Sequence, residues 1–184
     1  MRDKEKLDLI GKLDERERII AEDRLKCISP DDAKYRKASE KLSSYLSADA
    51  EWRACALIQK VLLETRVEFE QAEQENLEEI ESALKRISPL NIDLLESQVT
   101  RHDQLAVIEE SGLYTSEDTK ALLHPGTTSY DILDTSRSYL FKNAWKDVIR
   151  PEVGNSIKKL CDLAERAMDI LQVGRTHLQN TSPV

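Results

Sequence analysis

Apolar residues return at helical spacing along most of the chain. From Asp3 to about Lys26 they form only a thin stripe, Leu9, Ile10, Leu13, Ile20 and Leu25, amid dense charge, the pattern of an exposed amphipathic helix. Ile28-Ser29-Pro30-Asp31-Asp32 interrupts it, because Pro30 disfavours helix at Ser29 and aspartate side chains accept first-turn amide hydrogens. A new helix is expected from near Pro30. Ser47 and Asp49 offer the next cap, ahead of Cys55, Ile58, Leu62, Phe69, Leu77, Ile80, Leu84 and Ile87, which predict one long helix or two broken near Gln74. Ser88-Pro89-Leu90-Asn91 is expected to end that run, and Glu96 to Glu110 to form a shorter helical segment before Ser111-Gly112. Thr127-Thr128-Ser129 is placed to cap a helix through Ile132, Leu133, Tyr139, Leu140, Ala144, Trp145 and Val148, with Pro151 inside or just after it. A last helix carries Ile157, Leu160, Cys161, Ala164, Met168 and Leu171 on one face and is expected to end at Gly174 as a C′ glycine. No segment reads as a strand, so the expected fold class is all-α.

Composition agrees with that pattern and narrows the partners. Five Gly, five Pro and 5% aromatic residues favour long helices over a turn-rich sandwich or barrel. The net charge of −8 excludes a general electrostatic footprint for nucleic acid or an anionic membrane surface, so an anionic ligand needs a local basic cluster. Cys27, Cys55 and Cys161 are odd in number, far apart and outside any CxxC pair, which argues against a disulfide framework or a zinc site. No apolar stretch approaches the roughly 20 residues that span a bilayer, and the first residues are too charged for a signal peptide. The expectation is a cytoplasmic protein without nucleic-acid or membrane partners.

Candidate chemistry gathers at three histidines, each in a polar, turn-like context: Arg101-His102-Asp103, His124-Pro125-Gly126-Thr127-Thr128-Ser129, and Gly174-Arg175-Thr176-His177-Leu178-Gln179. A histidine between helices, beside hydroxyls and arginines, can titrate near neutral pH and exchange a proton with a bound anion. Taken singly, each reads more readily as a surface or hydrogen-bonded histidine. No pair has the i, i+4 spacing of a helical metal site, so no metal is expected. Exposed amides and hydroxyls at the Thr127-Thr128-Ser129 helix start could cradle a carboxylate or phosphate, or could simply cap the helix. Gly174-Arg175-Thr176-His177 presents a cation, a hydroxyl and a titratable ring together, or a C-cap followed by a solvated loop.

At these residues the chain resembles a known family. His124-Pro125-Gly126-Thr127-Thr128-Ser129-Tyr130-Asp131-Ile132-Leu133-Asp134-Thr135 resembles the first signature of the fumarase/aspartase superfamily. Gly174-Arg175-Thr176-His177-Leu178-Gln179 with Pro183 resembles the second, in the same order and with helix between. Thr100-Arg101-His102-Asp103-Gln104-Leu105-Ala106-Val107 is similar to the Arg-His-Asp stretch of the adenylosuccinate lyase branch, and Ile28-Ser29-Pro30 through Tyr35 to its N-terminal substrate-phosphate segment. The resemblance covers about Ile28 to Val184. It implies an N-terminal helical domain over 28-122 and the first long helices of a central bundle over 123-184, while residues 1-27 match no known pattern and read from their charge as a helical arm.

The resemblance further implies a cofactor-free carbon–nitrogen lyase that releases fumarate from a succinylated purine nucleotide, adenylosuccinate or SAICAR, by anti β-elimination. Carried over residue by residue, His177 is the general acid, helped by His102, while Lys34, Tyr35 and His124 face the nucleotide phosphate. Arg101, Asp103, Thr128, Ser129, Thr176 and Gln179 complete the substrate contacts, and Arg101 with Arg175 supplies positive field. Lys34 stands where the family usually has Arg, which keeps the charge but loses a bidentate fork for phosphate. Leu178 stands where many relatives have Gly, and Thr181 where Ala is usual, so the exact substrate stays open. The family's base is a serine in a later Gly/Ser-rich segment, and no Ser-Ser-x-Met-Pro-like run occurs here, the only methionines being Met1 and Met168. The base is therefore expected beyond Val184, and the 184-residue chain alone is expected to be inactive. A homotetramer is implied for a full-length enzyme, and a dimer or higher assembly for this chain. The rivals are other lyases of the superfamily, argininosuccinate lyase or muconate cycloisomerase-like, and a non-enzymatic helical interaction module. Arg101-His102-Asp103 favours the adenylosuccinate branch, and the stripe broken at Glu15 to Arg18 is too short for a coiled-coil module.

Overall fold

A computed structural model describes residues 8–183, with Ala33 and Pro183 known by backbone alone. The part of the expected first helix before Asp8 lies outside the described residues. After a 3₁₀ turn at Ile10–Lys12, Asp14 and Glu17 form a reciprocal capping box that starts helix α1, Glu15–Leu25. The expected single helix is thus broken at Leu13-Asp14. Its stripe also divides: Ile19 and Ile20 are exposed, whereas Leu9 and Leu25 are buried in the core. The backbone N–H of Leu9 donates to Asn91 Oδ1 at 2.9 Å, and Arg24 pairs with Asp93, so this charged segment is anchored at both ends.

Helix α2, Asp32–Leu46, follows the Pro30 break. Ser47 closes it and caps α3, Ala48–Glu68, by accepting from Ala50 N–H at 3.2 Å. The long periodic run is two helices, since Glu70 at φ 57° turns the chain before α4, Gln74–Leu84. Within α3 the buried face runs through Ala54, Cys55, Gln59 and Leu63, and Phe69, expected on that face, is 70% exposed beyond the helix end.

Two expectations fail in the next stretch for local reasons. Ser88-Pro89 starts a helix rather than merely ending one: proline at the first turn lacks only an amide that would be unpaired anyway, and α5 spans Pro89–Leu95. The Glu96 to Glu110 segment is not continuous. A π turn at Glu96–Thr100 ends in Arg101 at φ 53°, and α6, Asp103–Gly112, begins anew. A short helix α7, Glu117–Leu122, capped by Ser116, precedes α8, Ser129–Ala144. Helix α3 packs against α2, α4, α5, α6 and α8, so it is the centre of this first unit. Cys55, Ile92, Leu95, Ala106 and Val107 form its dry core.

The chain forms two compact units that part between Ala144 and Trp145. In the second, a π turn at Trp145–Ile149 leads into α9, Arg150–Ala167, with Pro151 in its first turn. Ile157, Leu160, Cys161 and Ala164 fall within it as expected, but the helix ends near Met168 rather than at Gly174, which leaves Leu171 outside it. Strands β1, Val173–Thr176, and β2, Gln179–Pro183, then pair antiparallel, which corrects the expectation of no strand. Gly174 is not a C′ glycine. It lies in β1, where a Cβ would collide with the Thr181 hydroxyl. The hairpin adds one small sheet to an otherwise all-α chain.

Candidate functional site

The left-handed Arg101 reverses the chain so that His102, extended at φ −153°, enters α6 as its N-cap. Its ring does what a shorter Asn or Asp usually does: Nδ1 accepts the Leu105 N–H at 3.3 Å. An accepting Nδ1 leaves the neutral ring's proton on Nε2, which lies 3.3 Å from Ser129 Oγ. Asp103 Oδ1 lies 3.4 Å from the same Nδ1. Residues 27 apart in sequence meet here.

His124 and Gly126 both have positive φ, 73° and 75°, making a tight turn into α8. Arg66 on α3 holds this turn by donating to the Pro125 carbonyl. The Thr127 hydroxyl is 2.7 Å from the His124 carbonyl oxygen and 3.0 Å from Nδ1 of the same residue. The expected hydroxyl cap of α8 is replaced by a carboxylate: Asp131 Oδ2 accepts the Thr128 N–H at 2.8 Å. Ser129 Oγ is thereby left to face His102. Burial first, and His102 second, lower the pKa of His124, against the opposing pull of Asp103 and Asp131. Burial thus outweighs the pull of the two carboxylates.

The remaining residues divide by unit. Lys34 Nζ stands 5.1 Å from the Tyr35 ring centroid, on the exposed first turn of α2. Among the described residues, no hydrogen bond joins either to His102, His124 or Ser129. In the second unit, His177 and Leu178 are the two central residues of the β-hairpin turn, at φ 50° and 62°. That turn favours glycine or asparagine, and a leucine there strains the backbone. Thr176 and Gln179 face each other across the strands, and Thr176 Oγ1 is 2.9 Å from His177 Nδ1. Among the described residues no group of His, Cys, Asp and Glu converges as a metal site.

A family model described as "Lyase" matches residues 29–184, most of the chain and both signature runs. The chain belongs to this lyase family. Its curated relatives include the adenylosuccinate lyase of Streptococcus mutans serotype c, 34% identical over 86 residues, 47% of this chain and 19% of that protein. That of Methanothermobacter thermautotrophicus is 30% identical over 100 residues, 54% of this chain and 21% of the relative. The Staphylococcus saprophyticus adenylosuccinate lyase is 34% identical over 86 residues, 47% of this chain and 20% of its own length. The matched stretch therefore spans about a fifth of each relative. Membership in the fumarase/aspartase superfamily, implied by the two signatures, is thus established.

In this family member the motifs gave no role to Gln59, Gln104 or Asp131, although the last two lie inside the quoted runs. Asp131 was visible as the acidic residue two after Ser129, in a position to reach back to a first-turn amide. Gln59 lay unmarked one position past Ile58, within the apolar run of α3, and only packing shows that it turns inward beside Cys55 and Leu63.

Proposed function

We propose that this chain supplies the acid and much of the anion-binding surface of a carbon–nitrogen lyase acting on a succinylated purine nucleotide, adenylosuccinate or SAICAR. The reading rests chiefly on the His102–Ser129 pair: a titratable ring and a helix-start hydroxyl, from two separate family motifs, lie 3.3 Å apart. In the elimination, a base removes the proton beside a carboxylate, and the carbon's electron pair is held as an oxygen-centred dianion. The carbon–nitrogen bond then breaks with its electrons on nitrogen, an acid protonates the amine, and fumarate leaves. Charge builds on carboxylate oxygens, so oriented donors are what the protein must provide.

Thr128 and Ser129 at the start of α8, and Thr176 and Gln179 on the hairpin, supply such donors. His177 is the general acid, assisted by His102, whose Nε2 proton is already directed at the Ser129 hydroxyl. Arg101, Asp103, His124, Lys34 and Tyr35 hold the nucleotide end, Lys34 as a point charge rather than a fork. The enzyme needs no cofactor for this chemistry and works as a homo-oligomer in the cytoplasm. The exposed apolar face of α9, Ile157, Leu160 and Leu163, drives the 184-residue chain to at least a dimer. Alone it does not turn over, because its residues contain no counterpart of the family's base serine run. The test is a complete lyase carrying this sequence, supplied in turn with adenylosuccinate, SAICAR and argininosuccinate while fumarate absorbance is followed. Turnover of argininosuccinate with neither purine substrate consumed would overturn the reading.

A further inference from the structure

Gln59 and Gln104 are polar side chains that the proposed chemistry leaves unused, although they are 1% and 0% exposed. They sit on the facing helices α3 and α6, in the first unit's core beside Cys55 and Ala106. A buried amide destabilises a core unless its groups are hydrogen-bonded. Gln59 Nε2 lies 3.2 Å from Gln104 Oε1 and 3.2 Å from His124 Nδ1. Both hydrogens of one NH₂ group are thereby engaged, one by a second buried amide and one by a ring at the protein surface.

We propose that Gln59, held in place by Gln104, is a positioning residue that fixes neutral His124 as the tautomer with its proton on Nε2. The alternative requires the whole relay to reverse: Nδ1–H would donate, Gln59 would present Oε1, and Gln104 would turn to donate to it. In either polarity one NH₂ group lacks an oxygen or nitrogen acceptor. With Nδ1 accepting, that group belongs to Gln104, which still lies against the polarisable sulfur of Cys55 and opposes the rise of its pKa from burial. With the relay reversed, it would be the NH₂ of Gln59, placed where its Oε1 now has no partner. Orphaned buried donors are the rarer case, so the relay runs toward the ring. The Thr127 hydroxyl donates to the His124 carbonyl at 2.7 Å, and its 3.0 Å approach to Nδ1 fits either tautomer, so the polarity is decided by the two amides.

A ring fixed in this way offers Nε2–H to an anion as a neutral donor, so its contact persists above the pH at which an imidazolium would discharge. That consequence for phosphate rests on the function proposed above, whereas the tautomer does not. The charged and titratable neighbours that bear on the ring are His102, Asp103 and Asp131, with Arg66 on the adjoining Pro125 carbonyl.

The experiment is nitrogen-15 NMR of histidine-labelled 184-residue chain, following both ring nitrogens of His124 through a pH titration. The expected neutral form shows Nδ1 unprotonated and Nε2 protonated. Gln59→Leu should raise the minor tautomer several-fold. Gln59→Glu should draw the proton to Nδ1 and lift the titration midpoint by about one unit or more, as an adjacent opposite charge does. Nδ1 found protonated in the unaltered neutral chain would overturn the proposal without any variant, as would Gln59→Leu leaving both tautomer ratio and midpoint unmoved. No lyase substrate enters this measurement, so its failure is separate from failure of the proposed activity.

Discussion

His102 joins two helix starts: Nδ1 accepts the Leu105 amide hydrogen in the first turn of α6, and Nε2 lies 3.3 Å from the Ser129 hydroxyl at the first residue of α8. Stability and chemistry are thus carried by opposite edges of one ring, and substitution can separate them. His102→Ala should lower stability by about 1 kcal/mol, the usual effect of removing an N-cap. His102→Asn should restore the cap without restoring turnover in a complete enzyme. Urea unfolding of both variants checks the first part, and equal stability of Ala and Asn variants would refute it.

Ser129→Ala should leave the fold intact, because the cap of α8 is provided by Asp131 rather than by this hydroxyl. Fumarate or nucleotide binding by the complete enzyme should weaken. Calorimetric titration beside a thermal melt distinguishes the outcomes: unchanged affinity with a lowered melting temperature would make Ser129 a capping residue only.

Two groups give the stability of the first unit opposing pH dependences. The pKa of His124 is lowered, so the unfolded chain takes up its proton first, and stability falls as pH drops from about 6.5 through the folded value. Glu110, fully buried, has its pKa raised by burial despite hydrogen bonds from Asn91 and Ser88 N–H. The folded state therefore holds that proton more tightly, and stability falls as pH rises from about 4.3 through the folded value. His124→Asn should flatten the first slope and leave the second. Chemical denaturation at several pH values between 4 and 8 reads both, and an unchanged slope near pH 6 in His124→Asn would contradict the assignment.

The β-hairpin holds Leu178 at φ 62° with its side chain fully exposed, so the residue packs against nothing that would offset its backbone strain. Leu178→Gly should favour the hairpin by about 1 kcal/mol, the lower end of what a left-handed L-residue costs. Amide exchange across Thr176 and Gln179 should slow. His177→Ala, by contrast, should leave exchange in the strands little changed and reduce turnover of the complete enzyme by roughly two to four powers of ten. A loss under threefold would remove His177 from the chemistry.

Self-association through α9 is checked by sedimentation of the 184-residue chain. Leu160→Lys with Leu163→Lys should shift a dimer or larger species to monomer. An unaltered chain that sediments as a monomer at high concentration would rule the interface out.

The residues alone determined the helical class, the starts of α2, α3 and α8, and the three histidine motifs. Those features follow from local rules: apolar spacing near 3.6 residues, proline and capping side chains, and short runs whose order is itself specific. The same rules miscarried where a local signal has two outcomes. Ser88-Pro89 can stop one helix or start another, and Gly174 can end a helix or admit a close strand. Packing decided both, since α5 buries Leu90, Ile92 and Leu95, and Gly174 leaves room for the Thr181 side chain. Tertiary structure alone brought His102 to Ser129 and Gln59 to His124, because a contact between residues 27 or 65 apart has no local signature. It also drew Leu9 and Leu25 out of a charged stripe into the core. A helix face is defined only against what packs on it, so spacing marks which residues can be buried, and the neighbouring helices decide which are.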